Sequence, residues 1–186
     1  MSFSTGRALL DAQTILTKAG LTTGMIYSDF GSGTLGHFIF PASKIVGDTG
    51  KVFAVDILKS ALEGIDSTAR MYECDNIVTV WGDIEKYEGV GISSVSVDLI
   101  SMINLSPIIS VTSVPVKEAR RVLKPGGTLL MVDWDPHSNL GPSGQEKLSV
   151  EDAVKIVEQD QGFKLLEKFQ AGPYHWGAVF RKGKNV

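Results

Sequence analysis

The sequence lacks the features that would indicate a disulfide-stabilised or membrane-spanning protein. Cys74 is the single cysteine among 186 residues, so no intrachain disulfide and no cysteine metal site can form. This usage fits a reducing compartment, and since the first 20 residues lack the apolar core of a signal peptide, we expect a cytoplasmic protein. The most apolar stretch, residues 93–110, is broken by Asp98, Asn104 and Pro107 and therefore predicts a buried strand with its exit loop instead of a membrane span.

Clusters of one charge are also missing. The net charge is -3 and no stretch holds five or six like charges, which argues against a long nucleic acid as partner, because phosphate backbones are usually met by clustered Lys and Arg. Hydrophobic residues at 43% and charged residues at 21% are typical of a folded domain. We expect one domain over residues 1–186, with a helical extension over 1–20 and a core over 21–182.

Strand-like runs alternate with segments of helical spacing along most of the chain. The strands are predicted at 24–29, 50–57, 76–83, 95–103 and 126–134, and the helices at 34–46, 58–72, 113–123 and 150–161. Regular alternation predicts a parallel sheet covered by helices on both faces. An added helix before the first strand places Leu9, Leu10, Ile15 and Leu16 near one face, and Pro41 is expected to bend the helix over 34–46. Residues 163–182 predict a hairpin, which puts one antiparallel strand at or near the sheet edge.

The stretch SDFGSGTLGHF, residues 28–38, follows the first predicted strand and contains three glycines. Gly31, Gly33 and Gly36 have the G-x-G-x-x-G spacing of a dinucleotide-binding loop, in which glycines permit a tight turn and close approach to a pyrophosphate. Asp29 lies just before them, where its carboxylate would repel a pyrophosphate but suits a cofactor with an ammonium group and no phosphate. An NAD-dependent oxidoreductase is therefore an alternative, although we find no set of Tyr, Lys or His residues that would catalyse its reaction.

Acidic residues end the next two predicted strands as well. Asp56 lies about 20 residues beyond the glycines, where a carboxylate can accept hydrogen bonds from ribose hydroxyls. Asp83, after the third strand, is placed to accept a hydrogen bond from an adenine amino group, and Asn104 stands at the exit of the fourth strand. Acidic residues at three successive strand ends describe a ligand with a cationic group, a ribose and an adenine. S-adenosylmethionine has these parts.

The motifs, taken in order, resemble those of class I S-adenosylmethionine-dependent methyltransferases. The resemblance is carried by residues 25–57, by GDIE at 82–85, by VDLISMIN at 97–104, by EARRVLKPGGTLLMVDW at 118–134 and by the closing residues 162–182. The subgroup is the small single-domain type similar to ubiquinone/menaquinone-biosynthesis methyltransferases. The resemblance implies a Rossmann-like α/β fold: a seven-stranded, mostly parallel sheet with an antiparallel last strand and helices on both faces. It also implies methyl transfer from S-adenosylmethionine to a small-molecule acceptor.

The same resemblance implies a set of cofactor-binding positions. They are Asp29, Gly31, Ser32, Gly33, Leu35, Asp56, Ile57, Asp83, Ile84 and Asn104. Ser32 would let the backbone approach the methionine carboxylate, Ile57 and Ile84 would contact the adenine, and Asn104 would lie near the transferable methyl. Leu35 stands where the family has its third glycine, and Gly36 follows one residue late. The turn at residues 125–127 is expected to be structural.

The sequence predicts no catalytic residue. His137, after the fifth strand, and His175, in the hairpin, are candidate general bases, which must reach the proton they remove. Methyl transfer from a sulfonium is a direct displacement that can proceed by holding the reacting atoms in line, so a base is not required. Leu35 and the missing base leave open a non-catalytic protein that binds S-adenosylmethionine or S-adenosylhomocysteine. An arsenite acceptor is disfavoured because relatives with that activity use several cysteines.

Overall fold

The structure, a computed structural model, describes residues 9–143 and 147–184. Its elements in chain order are α1 (Ala12–Lys18), β1 (Ile26–Phe30), α2 (Ile39–Val46), β2 (Lys51–Asp56), α3 (Lys59–Met71), β3 (Ile77–Trp81), β4 (Val97–Ile103), α4 (Ser106–Ile109), α5 (Val114–Val122), β5 (Leu123–Trp134), α6 (Val150–Gln159), β6 (Phe163–Gly172) and β7 (His175–Lys182). The predicted alternation of strands and helices is confirmed. Within the two described ranges, no helix combines the length and the apolar content that crossing a membrane would take.

The strands form one seven-stranded sheet in the order β3-β2-β1-β4-β5-β7-β6. Strands β1 to β5 pair in parallel, whereas β7 is antiparallel to both β5 and β6. The mostly parallel sheet with an antiparallel last strand is therefore confirmed, and β7 lies one strand inside the edge. The winding reverses between β1 and β4. In open sheets of this kind, ligands bind beyond the carboxyl ends of the strands at this reversal.

Strand side chains alternate between two hydrophobic cores, one on each face of the sheet. On one face, Tyr27, Leu130 and Val132 pack with α1, α2 and α3. On the other face, Phe30 and Met131 pack with α5 and α6. Both faces are thus covered by helices, as the alternation of strands and helices predicts for a parallel sheet.

Several predicted boundaries differ from the structure. Helix α2 begins at Ile39, five residues later than predicted, because Gly36 takes a left-handed φ of 55° and the residues before the helix form a loop. Pro41 falls in the first turn of α2, where backbone N–H groups have no helical partner, so the expected bend is not required. Asp11 caps α1 through the N–H of Thr14, so Leu9 and Leu10 precede that helix; Leu10 is buried in the same core as Ile15 and Leu16, whereas Leu9 is exposed.

Two features near the carboxyl half of the sheet were not predicted. The short helix α4 follows β4 directly, over Ser106–Ile109. Strand β5 begins at Leu123, and its pairing with β4 jumps from Leu123 to Thr128, so residues 124–127 bulge from the ladder. The predicted turn at 125–127 is therefore a bulge within the strand.

Candidate functional site

The glycine loop is fastened to the end of β2 by backbone hydrogen bonds. The N–H groups of Gly31 and Ser32 donate to the carbonyl of Val55 at 2.9 and 3.0 Å. The N–H of Gly33 donates to Asp56 Oδ2 at 2.9 Å. Gly31 has a φ of 75°, and a Cβ there would lie 2.9 Å from Leu105 Cδ2, so a side chain would be both strained and crowded. The loop therefore closes over the ends of β1 and β2.

Asp56 holds backbone groups with both carboxylate oxygens. Besides the bond from Gly33, Oδ1 accepts a hydrogen bond from the N–H of Leu58 at 2.9 Å. An ionised carboxylate has about four lone-pair positions, so about two remain for a ligand. The neighbouring Ile57 is 54% exposed and presents an apolar surface at the same edge. The structure thus brings Asp56, Ile57 and the glycine loop together, as the motif spacing predicts.

Asp29 lies beneath the glycine loop and is only 3% exposed. The hydroxyl of Ser101, on β4, donates to its Oδ1 at 2.5 Å, and Tyr27 Oη lies 2.5 Å from the same hydroxyl. Burial raises the pKa of Asp29 to about 7; the bond from Ser101 opposes that rise and the charge of Asp56 adds to it. In this structure Asp29 is an interior carboxyl group and not a rim acid. Its contact with a cationic ligand group stays a prediction.

The end of β3 places Asp83 on the same edge of the sheet. Its Oδ1 accepts a hydrogen bond from the N–H of Glu85 at 3.0 Å, and its Oδ2 lies 3.3 Å from Lys86 Nζ. Ile84 is buried in a hydrophobic core, so its side chain offers little surface to a ligand. Trp81 is 59% exposed, and its Nε1 donates to the carbonyl of Ile57 at 2.9 Å. Trp81 is an exposed aromatic side chain at this edge that sequence reasoning did not single out, although it stands directly before the GDIE motif.

The turn after β4 carries Asn104 at the point where the sheet winding reverses. Asn104 is exposed, has a left-handed φ of 58°, and donates its N–H to the carbonyl of Val132 at 2.8 Å. The buried carboxylate of Asp133 accepts hydrogen bonds from the N–H groups of Ser106 and Trp134, each at 2.8 Å, and so fixes this turn. Leu35 is 76% exposed, outside these contacts. Asp133 is a second position that sequence reasoning missed.

The two candidate bases have opposite environments. The side chain of His137 is 94% exposed, and its Nδ1 lies 3.0 Å from Asp135 Oδ1. His175 begins β7 directly opposite Trp134, is buried, and has no hydrogen-bond partner on either ring nitrogen. Burial lowers the pKa of His175 to about 4, so its ring is neutral at pH 7. Within the described ranges, no group of three or more His, Cys, Asp or Glu side chains is arranged to hold a metal ion.

Comparison with known proteins relates this chain to methyltransferases. The sequence profile of a family described as a methyltransferase domain matches residues 21–174. A probable cobalt-precorrin-6B C(15)-methyltransferase (decarboxylating) from Sulfurisphaera tokodaii is 35% identical over 68 residues, which are 37% of this chain and 35% of that protein. The match thus spans about a third of the length of this curated relative.

Solved structures share the fold over almost the whole chain. A SAM dependent methyltransferase from Aquifex aeolicus superposes with a TM-score of 0.86 at 26% identity, covering 96% of this chain and 93% of the other. A putative type 11 methyltransferase from Sulfolobus solfataricus superposes with a TM-score of 0.73 at 20% identity, covering 94% of each chain. The second likeness concerns the fold alone.

Proposed function

We propose that this chain, which belongs to the methyltransferase-domain family, transfers a methyl group from S-adenosylmethionine to a small-molecule acceptor and releases S-adenosylhomocysteine. The donor is the one named for the similar structure from A. aeolicus. One observation carries the proposal: Asp56 and Asp83 follow the neighbouring strands β2 and β3 at the same edge of the sheet, and the glycine loop after β1 is bonded to Asp56.

The residues at this edge fit S-adenosylmethionine better than a dinucleotide. The loop from Phe30 to Phe38 contains no Lys or Arg to pair with a pyrophosphate. Ser32 Oγ is buried in the loop without a hydrogen-bond partner, which leaves it free to donate to the methionine carboxylate. When bound, S-adenosylmethionine supplies an electrophilic methyl group attached to a positive sulfur.

Each of the other positions has a defined part in this proposal. Asp56 accepts hydrogen bonds from the ribose hydroxyls with the lone pairs that the backbone leaves free. Ile57 covers one side of the adenine, and Asp83 accepts a hydrogen bond from its amino group. The backbone at Gly31 and Gly33 borders the methionine, with Asp29 beneath the loop, and Asn104 lies on the side where the methyl group is transferred.

The evenly spread charge favours a small molecule over a nucleic acid as acceptor. The single cysteine supports the cytoplasm as compartment. A non-catalytic protein that binds the same cofactor is the second candidate, because Leu35 replaces a glycine of the motif and is largely exposed. The family match argues against the NAD-dependent alternative.

Isothermal titration with S-adenosylmethionine, S-adenosylhomocysteine and NAD in parallel tests the proposal. We expect binding of the first two and not of NAD. Binding of NAD alone would contradict it. A methyl-release assay over a panel of acceptors then separates the enzyme from the non-catalytic binding protein, because only the enzyme converts donor to S-adenosylhomocysteine in the presence of an acceptor.

A further inference from the structure

His175 is a buried polar side chain that the fold leaves without a partner. It is 3% exposed, and neither ring nitrogen makes a hydrogen bond. Its ring packs on the indole of Trp134, with the ring centroids 4.0 Å apart and the planes inclined by 39°. Most buried polar side-chain atoms in proteins have a hydrogen-bond partner, and one without a partner costs stability. A bound molecule with a hydrogen-bonding group would supply the partner that the protein does not.

Three segments of the chain converge around His175. The loop after β5 returns over Trp134. Gly141, in this loop, has a φ of 90° and lies so close that a Cβ on it would collide with the indole ring. The backbone of Leu9 lies against Gly172, the residue of β6 that pairs with His175, so closely that a Cβ on Gly172 would collide with the Leu9 carbonyl oxygen. Gly141, in the loop after β5, and Leu9, before α1, therefore lie against the two residues that pair with His175, which are Trp134 on β5 and Gly172 on β6.

Leu9 and Leu10 connect the surroundings of His175 with the glycine loop of the proposed donor site. The carbonyl oxygen of Leu10 lies 3.0 Å from His37 Nε2, so the segment before α1 reaches from β6 to the glycine loop. The strand order β1-β4-β5-β7, with about 4.8 Å between neighbours, puts β7 about 14 Å across the sheet from β1, and the register puts His175 opposite Trp134, four residues beyond the level of Asp29 toward the carboxyl end of β5. Alternation along the strands puts the side chains of His175, Trp134 and Asp29 on the same face. His175 and the proposed donor site therefore lie on the same face of the sheet, toward the carboxyl ends of the parallel strands.

We propose that His175 binds the methyl acceptor through a ring nitrogen; this inference rests on the proposed function. The acceptor is an uncharged, mainly apolar molecule with a hydroxyl group, such as a phenol. A neutral imidazole has one donor and one acceptor nitrogen and so matches a hydroxyl in either direction. The indole of Trp134 against His175 is apolar, and a charged group beside it would lose its hydration without compensation. Burial lowers the pKa of His175, which keeps the ring in this neutral form at pH 7.

Phenol and toluene form a matched pair of probes, because they differ in a hydroxyl against a methyl group. Protein saturated with S-adenosylhomocysteine is titrated with each probe, and the imidazole nitrogen resonances of the three histidines are followed by NMR. We expect phenol to shift the resonances of His175 and toluene to leave them in place. His175→Phe should bind phenol about tenfold more weakly, which corresponds to the loss of one hydrogen bond.

One further variant completes the experiment. His175→Gln keeps a hydrogen-bonding side chain, so the result does not depend on the folding of one variant, and it should bind phenol more tightly than His175→Phe. His175→Phe itself should unfold at the same or a higher temperature, because it removes an unpartnered polar group.

The two proposals fail in different ways. If S-adenosylhomocysteine binds but phenol shifts no His175 resonance, or binds His175→Phe as tightly as the unchanged protein, the assignment of His175 is wrong and the proposed function stands. If S-adenosylhomocysteine does not bind, the proposed function is wrong and the inference about His175 falls with it.

Discussion

Asp56 shows what motif spacing reveals at the scale of one residue and what it leaves out. The distance from the glycines placed this carboxylate at the end of β2, where the structure has it. Spacing could not show that its two oxygens already bind the N–H groups of Gly33 and Leu58, because those contacts depend on the path of the folded loop. For Asp29 the limit is greater: its burial against Ser101 comes from a strand that lies 72 positions away in sequence.

Asp56→Asn tests the proposed ribose contact with little change in shape. An amide keeps one carbonyl oxygen as acceptor but loses the charge and the other acceptor, so the bond to either Gly33 or Leu58 is lost as well. Because hydrogen bonds to charged groups contribute about 1.5–3 kcal/mol, we expect S-adenosylmethionine to bind about 10- to 100-fold more weakly in isothermal titration. Asp48→Asn, the same change at an exposed position before β2, should leave the affinity unchanged. Equal affinity of Asp56→Asn and the unchanged protein would remove Asp56 from the site.

At the scale of elements, helix α5 holds the loop that carries Asp83. The carboxylate of Glu118 on α5 is fully buried and accepts hydrogen bonds from the N–H groups of Glu88 and Val90, at 2.9 and 3.1 Å. Arg121, one turn later, binds the same carboxylate at 2.6 Å and donates to the carbonyls of Ile92 and Val90. Burial alone would raise the pKa of Glu118, but the bonds from Arg121 and the backbone outweigh it and lower the pKa.

The bounds of α5 were predicted closely, but the role of Glu118 was not. Helical spacing identified residues 113–123, and the structure has the helix over Val114–Val122. A glutamate is rarely fully buried unless it is paired. The sequence signal for its burial would have been the arginine three residues later, which by itself equally indicates an exposed ion pair.

Glu118→Gln should destabilise the protein through this anchor. It leaves the Arg121 guanidinium without its counter-charge in a nearly buried position, and we expect the free energy of unfolding in urea to fall by about 3–5 kcal/mol. Glu151→Gln, which breaks the exposed pair with Lys168, is the matched control and should unfold like the unchanged protein. If the two variants unfold at the same urea concentration, the anchor contributes no more than an exposed ion pair.

At the scale of the whole molecule, two buried titratable groups on one face have opposite effects on stability. The pKa of Asp29 rises from 3.8 to about 7, so the folded state keeps a proton that the unfolded chain releases, and stability falls as pH rises from about 4 to 7. The pKa of His175 falls from 6.5 to about 4, so the unfolded chain binds a proton that the folded state does not, and stability rises with pH from about 4 to 6.5. Between pH 4 and 6.5 the two contributions oppose each other.

Asp29→Asn should expose this opposition. The amide still accepts the hydrogen bond from Ser101 but cannot ionise. The contribution of Asp29 that lowers stability as pH rises is therefore lost. Relative to the unchanged protein, we expect the variant to gain stability steadily from about pH 4 to pH 7, measured as melting temperature at each pH. Asp48→Asn serves again as control. Curves that run parallel for Asp29→Asn and the unchanged protein would show that Asp29 titrates near its ordinary pKa.

The arrangement of the sheet and helices was predictable where it follows from the repeated alternation of strands and helices. Alternating strands and helices require a parallel sheet covered on both faces, and the structure has one. The hairpin alone does not predict that β7 lies between β5 and β6, because both β6 and β7 have backbone groups that could pair with β5. Which strand docks depends on the two apolar cores, to which Val179 and Phe180 contribute from opposite faces of β7.

The bonds that tie the glycine loop to β2 also affect the thermodynamics of ligand capture. A loop that becomes ordered only on binding would lose about 1–2 kcal/mol of backbone entropy per residue. Here Gly31, Ser32 and Gly33 already donate their N–H groups to Val55 and Asp56, so that entropy is lost during folding. The receptor is preorganised at this point, and the contacts that the ligand makes with the loop contribute to affinity without an ordering penalty.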